Sequence, residues 1–309
     1  MLRQTLIRLS QQEQLRELAT RNVVARSIAR RFVAGETIDD ALGAIRELNG
    51  RGMSATLDNL GENVSSEEEA REAAEAYCRI IRSINDNGVN CNASLKLTQF
   101  GLDLGEAVAL DNMRRVMEAA APHDTFVRID MESSDYVDRT LSVFFDLWST
   151  HKNVGVVLQS CLYRTAEDLE RVIDAGARVR LVKGAYLEPA SVAYQDKRDV
   201  DENFMRLTRT LLDRAAYPAI GTHDCALIDA AKEWTRERGI EQSRFEFQML
   251  YGIRRDVQAQ LVAEGYNLRV YVPFGTHWYP YMMRRMAERP ANIFFVLENL
   301  AREVRSARS

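Results

Sequence analysis

From residue 50 onward the chain alternates short β-type runs with amphipathic helical stretches, and that alternation admits few folds. Eight runs read as strands: 53–59, 92–97, 125–131, 154–160, 179–183, 218–223, 245–250 and 268–273. Runs such as VGVVL and VRLV are nearly continuously apolar, which suits parallel strands buried on both faces. The stretches between them carry helix signals. Ser65 and Ser66 precede Glu68 and Glu69 in a capping-box pattern. Ala70, Ala73, Ala74, Tyr77, Ile80, Ile81 and Ile84 then recur at i, i+3, i+4 spacing, and Gly88 ends the helix. Similar helices fit 105–120, 134–148, 166–175, 201–215, 225–238 and 255–264. Eight such units in about 250 residues are the size of a (β/α)8 TIM-type barrel.

The rival α/β architecture is an open doubly wound sheet, which needs a glycine-rich phosphate fingerprint between its first strand and helix. The nearest match, Gly50-Arg51-Gly52-Met53-Ser54-Ala55, comes before a strand, so a tight turn is expected there. No Walker A, HExxH or GxSxG motif occurs. Ahead of the barrel, residues 1–48 repeat Leu2, Leu6, Leu9, Leu15, Leu18, Val24 and Ile28 at helical spacing. No Pro/Gly/Ser-rich linker follows them. They are expected to form a helical cap packed on the barrel, with 49–309 as the catalytic barrel and its C-terminal helices.

Composition narrows the classes further. A net charge of −4 gives no sign of a nucleic-acid binder. Cys78, Cys91, Cys161 and Cys225 form no CxxC pair and read as reduced thiols of a cytoplasmic protein. The N-terminus shows no signal-peptide pattern, and no stretch approaches the ~18 apolar residues of a membrane span. Peripheral contact with the inner face of the membrane stays open.

In such a barrel the chemistry gathers at the C-terminal strand ends. The second strand ends at Lys96, the third at Asp130 and the fourth at Gln159. The fifth offers Arg180 and Lys183, the sixth Thr222 and His223, the eighth Tyr271. Taken singly, each is an ordinary strand-end residue. Together they point to one shared bowl, because a lysine and an arginine inside apolar strands are costly unless paired or used. Lys96 and Asp130, on adjacent strands, are expected to pair in part. No second histidine stands at ligand spacing from His223, so no metal site is expected.

After the eighth strand, Pro280 and Pro290 bracket a short helix. Tyr281 lies three and four residues before Arg284 and Arg285 and shares their face, and Glu288 can orient either guanidinium. Two arginines beside a tyrosine suit a carboxylate on an apolar body.

The blocks SLKLTQFG, RIDMES, RLVKGAYLE, GTH, FEFQML and YVPFGTHWYPYMMRRMAERP run in order across most of the chain. They resemble the signature blocks of the proline dehydrogenase family. The likeness is to its short monofunctional bacterial form, a relative of the proline dehydrogenase domain of proline utilisation A. The resemblance implies a distorted barrel holding non-covalent FAD across its strand ends. It implies oxidation of L-proline to Δ1-pyrroline-5-carboxylate by hydride transfer to the flavin N5, the first step of proline catabolism to glutamate. Electrons would pass to a membrane quinone. A separate pyrroline-5-carboxylate/glutamate-semialdehyde dehydrogenase would take the product. By the same resemblance Asp130 and Arg180 match catalytic positions, and Lys96, Arg284 and Arg285 match carboxylate-binding positions. Leu250, Tyr271 and Tyr281 would enclose the ring. Met131, Gln159, Lys183, Gly184, Ala185, Tyr186, Thr222 and His223 match flavin-binding positions. A tyrosine at 271, where hydroxyproline-oxidising relatives carry a small residue, favours plain proline. The residues by themselves leave open a Schiff-base aldolase on Lys96 or Lys183, a methylenetetrahydrofolate reductase-like flavin barrel, and a barrel used for binding alone.

Overall fold

The computed structural model describes residues 29–61 and 63–288, with side chains as far as Met283. Its strands are β1 (Ser54–Asn59), β2 (Cys91–Lys96), β3 (Val127–Asp130), β4 (Val154–Gln159), β5 (Arg178–Val182), β6 (Ala219–Gly221), β7 (Glu246–Leu250) and β8 (Leu268–Phe274). All pair in parallel, in chain order, and β8 closes on β1 with Tyr271 opposite Thr56. This is the (β/α)8 barrel that the alternation predicts. The crossover helices are α2 (Glu67–Asp86), α3 (Glu106–Ala120), α4 (Val137–Thr150), α5 (Thr165–Asp174), α6 (Lys197–Arg214), α7 (Cys225–Glu237) and α8 (Arg255–Ala263). Before β1 runs α1 (Ile38–Gly50), and after β8 runs α9 (Trp278–Glu288).

Local sequence explains the element ends. Thr37 and Asp40 form a reciprocal capping box at the start of α1. Gly52, at φ +79, lets the chain reverse after α1, with its N–H donating to Asn49 O at 2.9 Å and Met53 N–H to Leu48 O at 3.1 Å. The glycine pair is therefore a turn. In α2 the Ser66 hydroxyl accepts from Glu69 N–H at 3.2 Å, but the Glu69 carboxylate reaches back to Ser65 N–H at 2.7 Å, one residue before the cap. The largest departure from expectation is β6, which pairs over Ala219–Gly221 alone. Beyond it the Thr222 hydroxyl accepts from Asp224 N–H at 3.2 Å, and Asp224 in turn caps α7 through Ala226 N–H. Those bonds turn the backbone out of the sheet. Of the expected cap over 1–48, residues 1–28 lie outside the described residues. In the described part, Ala29, Phe32 and Val33 pack with the rim helix α9, and α1 buries Ala41, Leu42, Ile45 and Leu48 against β1 and β8.

The apolar core is a shell, not a plug. Leu57, Leu95, Ile129, Val156, Leu181, Ile220, Phe247 and Val270 point outward and pack beneath the helices in one buried cluster. Both faces of the strands are buried, as expected, but the inner face is largely polar. It carries Thr56, Ser94, Arg128, Asp130, Arg180, Glu246, Gln248 and Tyr271, all buried. Only β4 and the short β6 come close to a continuous apolar run. A second cluster joins Trp278, Tyr279, Tyr281, Met282 and Met283 of α9 to Leu60, just past β1, and Ile253, just past β7. The α9 helix therefore covers the rim at the C-terminal ends of the strands.

The inner face is held by charge. Arg269 Nε donates to both oxygens of Glu246, at 3.0 and 3.1 Å, and Arg269 Nη1 to Ala55 O at 2.8 Å. Burial raises the Glu246 carboxyl, but Arg269 and Arg128 outweigh it and hold the group below the usual carboxylate range. Glu246→Ala should cost roughly 3–5 kcal/mol, because it strands buried guanidinium charge. The urea midpoint measures this, and a loss under ~1 kcal/mol would contradict it. Since the folded pKa lies below the unfolded value of about 4.3, the contribution of Glu246 should be complete above that pH and fade as pH falls below it.

Candidate active site at the barrel mouth

Period-2 geometry brings alternate residues of every strand into one interior. Asp130, at the end of β3, sits at its centre. It forms an ion pair with Arg180 Nη2 of β5, accepts from Ser94 Oγ of β2 at 2.6 Å, and accepts from the Tyr271 hydroxyl of β8 at 2.7 Å. Burial pushes its carboxyl up, but Arg180, Lys96, Ser94 and Tyr271 together hold it below the ordinary carboxylate range. Burial, and then the Asp130 charge, push the Tyr271 phenol far up, so it stays a neutral donor. The Arg180 guanidinium also lies 5.2 Å from the Tyr271 ring centroid.

Lys96 stands opposite Asp130, whose carboxyl its charge helps to lower, and makes its ion pair with a second carboxylate. Its ammonium lies 3.5 Å from Asp58 Oδ2 of β1, while Asp130 takes Arg180 as its ion pair. The registers place Lys96 opposite Asp130 and Asp58 opposite Ser94, two residues before Lys96, so Lys96 sits between two carboxylates. Asp58 is also reached by the Tyr77 hydroxyl of α2 at 3.3 Å. Lys183, just past β5, makes ion pairs to Asp201 Oδ1 at 2.5 Å and Asp224 Oδ2 at 3.1 Å, and Lys197 joins the same two carboxylates.

Among the buried polar atoms that have no hydrogen-bond partner among the described residues are the Oε1 of Gln159 and the Nε of Arg180. Gln159 Nε2 donates to Glu132 O at 2.6 Å, and the Glu132 carboxylate is fixed by Thr98 N–H at 3.1 Å and the Thr98 hydroxyl at 2.7 Å. Gln159 therefore presents a bare acceptor. Beside it Gly184 adopts φ +109, and a Cβ there would come within 2.4 Å of Cys161 Sγ and 2.9 Å of Gln159 Oε1. The loop onward through Ala185, exposed, and Tyr186, half-buried, is tied down at a distance. Glu188 accepts from Ser134 N–H at 2.9 Å, and Tyr163 N–H donates to Val192 O at 3.0 Å. His223 Nε2 accepts from Leu250 N–H at 2.8 Å, which fixes its neutral tautomer with the proton on Nδ1. Met131 and Thr222 are buried just past β3 and β6.

Lys96, Asp130, Gln159, Arg180, Leu250 and Tyr271 thus converge on the mouth, and Tyr281 packs in the rim cluster with Leu250. Arg284 and Arg285 belong to α9, with side chains outside the described residues. Asp58, Ser94, Glu246, Gln248, Asp201 and Asp224 are missed by a reading of strand ends alone. Their signal is period-2 polarity inside strands and aspartates opposite a strand-end lysine. Among the described residues no group of His, Cys, Asp and Glu could hold a metal ion. No described helix is long and apolar enough to cross a membrane.

The family model described as proline dehydrogenase matches residues 41–297. The chain is 44% identical over 303 residues to proline dehydrogenase 1 of Bacillus subtilis strain 168, covering 98% of this chain and 100% of that one. It is 41% identical to proline dehydrogenase of Deinococcus radiodurans, covering 96% of this chain and 97% of that one. Among solved structures, proline utilization A from Bdellovibrio bacteriovorus superposes with a TM-score of 0.80 at 26% identity, over 85% of this chain and 32% of that one.

The buried phenol–carboxylate bond gives a direct check on this geometry. Tyr271→Phe should lower stability by roughly 1.5–3 kcal/mol at neutral pH, the range for a hydrogen bond to a charged group. The deficit should shrink as acid protonates Asp130, whose folded pKa lies below its usual value. Denaturant titrations at neutral and acid pH measure both effects. Equal stability of the two proteins at neutral pH would contradict the bond.

Proposed function

This chain belongs to the proline dehydrogenase family, and from that premise we propose that it oxidises L-proline to Δ1-pyrroline-5-carboxylate using non-covalent FAD. The observation that carries the reading is the pair of partnerless buried atoms, an acceptor on Gln159 and a donor on Arg180. The pyrimidine edge of a flavin offers an N–H beside carbonyl oxygens and a bare ring nitrogen, so it can satisfy both. Gln159, Arg180 and Lys183, with Gly184, Ala185, Tyr186, Met131, Thr222 and His223, would hold the cofactor. The close space around Gly184 suits backbone approach to a planar ring. When bound, FAD supplies the two-electron acceptor for oxidation of the ring C–N bond. Electrons would then go to a membrane quinone, and a separate dehydrogenase would consume the product.

The protein's own groups bind, orient and exclude water. Arg284 and Arg285 would clamp the proline carboxylate, with Lys96 reaching the same oxygens. Tyr271, Tyr281 and Leu250 would wall in the pyrrolidine ring. Asp130 is held below the ordinary carboxylate range by Arg180, Lys96, Ser94 and Tyr271, against the opposing effect of burial. Its work is to hold the Arg180 guanidinium and the Tyr271 hydroxyl in place. The ring nitrogen must react as the neutral amine, because a protonated nitrogen has no lone pair to assist C–H cleavage. The aldolase alternative loses ground, since both candidate lysines are engaged in ion pairs with carboxylates.

The purified protein should be yellow and should bleach when L-proline is added without oxygen. Acid precipitation should release FAD, one per chain, into the supernatant. A colourless protein, released FMN or flavin kept in the pellet would overturn the cofactor assignment, and a flavin unaffected by proline would overturn the substrate.

The arginines make a second check. Each charge-assisted bond to a carboxylate contributes roughly 1.5–3 kcal/mol. Arg284→Met and Arg285→Met should each keep full flavin and raise KM, lowering kcat/KM by roughly 10- to 150-fold. Wild-type KM in both variants, or loss of flavin in both, would remove them from the substrate site.

A further inference from the structure

We propose that Gln248, oriented by Glu246, is a positioning residue that sets the plane of the Arg180 guanidinium at the barrel mouth. The inference rests on the reading that Arg180 serves proline oxidation. Arg180 Nη1 donates to Gln248 Oε1 at 3.1 Å, and Gln248 Nε2 donates to Glu246 Oε1 at 2.5 Å. Glu246 and Gln248 lie two residues apart on β7, so both face the interior. The direction of the amide follows from its neighbours. An ionised carboxylate only accepts and a guanidinium only donates, so Nε2 must face Glu246 and Oε1 must face Arg180. Arg269 completes the series by holding Glu246 from β8.

Arg180 lies on β5 and Gln248 on β7, with β6 between them. The two residues of β6 that share their inward register are Ala219 and Gly221, opposite Arg180 and Gln248 respectively. Neither has a side chain long enough to fill the gap. A Cβ at Gly221 would already come within 2.8 Å of Val182 Cγ1 and 3.6 Å of Arg180 Cγ. The small residues of β6 open the path along which the arginine crosses to the glutamine.

The arrangement is costly as stabilisation. A buried chain of charged and amide groups can be replaced by packed apolar side chains at little or no loss of stability. What it provides is direction. With Nη2 fixed on Asp130 and Nη1 fixed on Gln248, the guanidinium cannot rotate, and its partnerless Nε keeps one heading. Without Gln248 the group retains a single pivot.

The test is Gln248→Met, close in size and without the amide, compared with Met249→Ala on the outer face of the same strand. Both proteins are assayed for flavin per chain, visible flavin spectrum, Tm, and kcat and KM for proline. Gln248→Met should keep its flavin, shift the flavin bands, and lose about 10- to 100-fold in kcat with KM changed less than about 3-fold. Met249→Ala should lose Tm and keep wild-type kcat per flavin. In an Arg180→Met background, Gln248→Met should add no further loss of kcat, and its loss of Tm should be smaller than in wild type. Gln248→Asn keeps the amide but falls one methylene short, and it should show the same kcat loss if the methionine variant does not accumulate. Wild-type kcat and spectrum in Gln248→Met, or equal losses in both backgrounds, would overturn the positioning role and leave the proline reading standing. A wild-type flavin that proline does not reduce would overturn that reading, and this proposal with it.

Discussion

The ion pair between Asp130 and Arg180 organises this molecule. Its partners come from β3 and β5, on either side of β4, and both are almost wholly buried. Two charges taken out of water gain from their attraction only when their remaining lone pairs and N–H groups are also occupied. That requirement recruits the rest of the interior. The second oxygen of Asp130 calls for Tyr271, the first also takes Ser94, and Arg180 calls for Gln248. Gln248 in turn needs an acceptor, Glu246, and Glu246 needs a cation, Arg269. One buried pair thus determines residues on β2, β3, β5, β7 and β8. The shortness of the β6 side chains follows from the same need, because the link from Arg180 to Gln248 has to pass it.

Filling the interior with polar groups moves the burden of stability outward. A (β/α)8 barrel ordinarily packs its inside with branched apolar residues. Here the outward strand residues and the inner faces of the helices do that work, as Phe247 does against Phe245 and Tyr266. The shell must be continuous, so the position between β8 and β1 needs a helix. The helix after β8 does not supply it, because α9 lies over the rim with Leu60 and Ile253. The helix before β1 does, and its buried Ile45 and Leu48 complete the shell. Freeing α9 from the wall puts Tyr281 over the mouth, within the same cluster as Leu250.

The barrel was legible in the sequence because its signals are local. Helical spacing in α2, the turn at Gly52 and the eight β-type runs each need only a few neighbours to be read. Strand ends were harder. The run at 218–223 looks like six paired residues, yet three pair, because Thr222 and Asp224 divert the backbone through hydrogen bonds that no periodicity records. The candidate residues were legible where a charge closed a strand, as at Lys96, Asp130 and Arg180. Their pairing was not. Lys96 meets Asp58 diagonally across neighbouring strands, since Asp58 stands opposite Ser94, and Lys183 meets Asp201 because α6 begins beyond the end of β5. Those are distances in space set by strand register and by the path of the chain between strands. Glu246 and Gln248 stand inside a strand rather than at its end, so a search of strand ends does not reach them, although alternate polar residues in EFQML carry the signal.

The interior also decides what the mouth presents to a ligand. Gln159 and Gln248 could each point either end of their amide anywhere, and in water both would. Here Glu132 O takes the N–H of Gln159, and Glu246 takes the N–H of Gln248. Both carboxamides are thereby turned with the oxygen away from the acid side chain or carbonyl that holds them. One of those oxygens is used internally, to hold Arg180, and the other is left bare at Gln159. Arg180, held at two nitrogens, leaves its third bare. The His223 ring accepts from Leu250 N–H through Nε2, so its proton sits on Nδ1. Each of these directions is imposed by a neighbour that can play only one role, a carboxylate, a carbonyl or a backbone N–H. A site built this way needs no rearrangement of its polar groups when a ligand arrives, so the free energy of reorienting them is spent during folding rather than during binding.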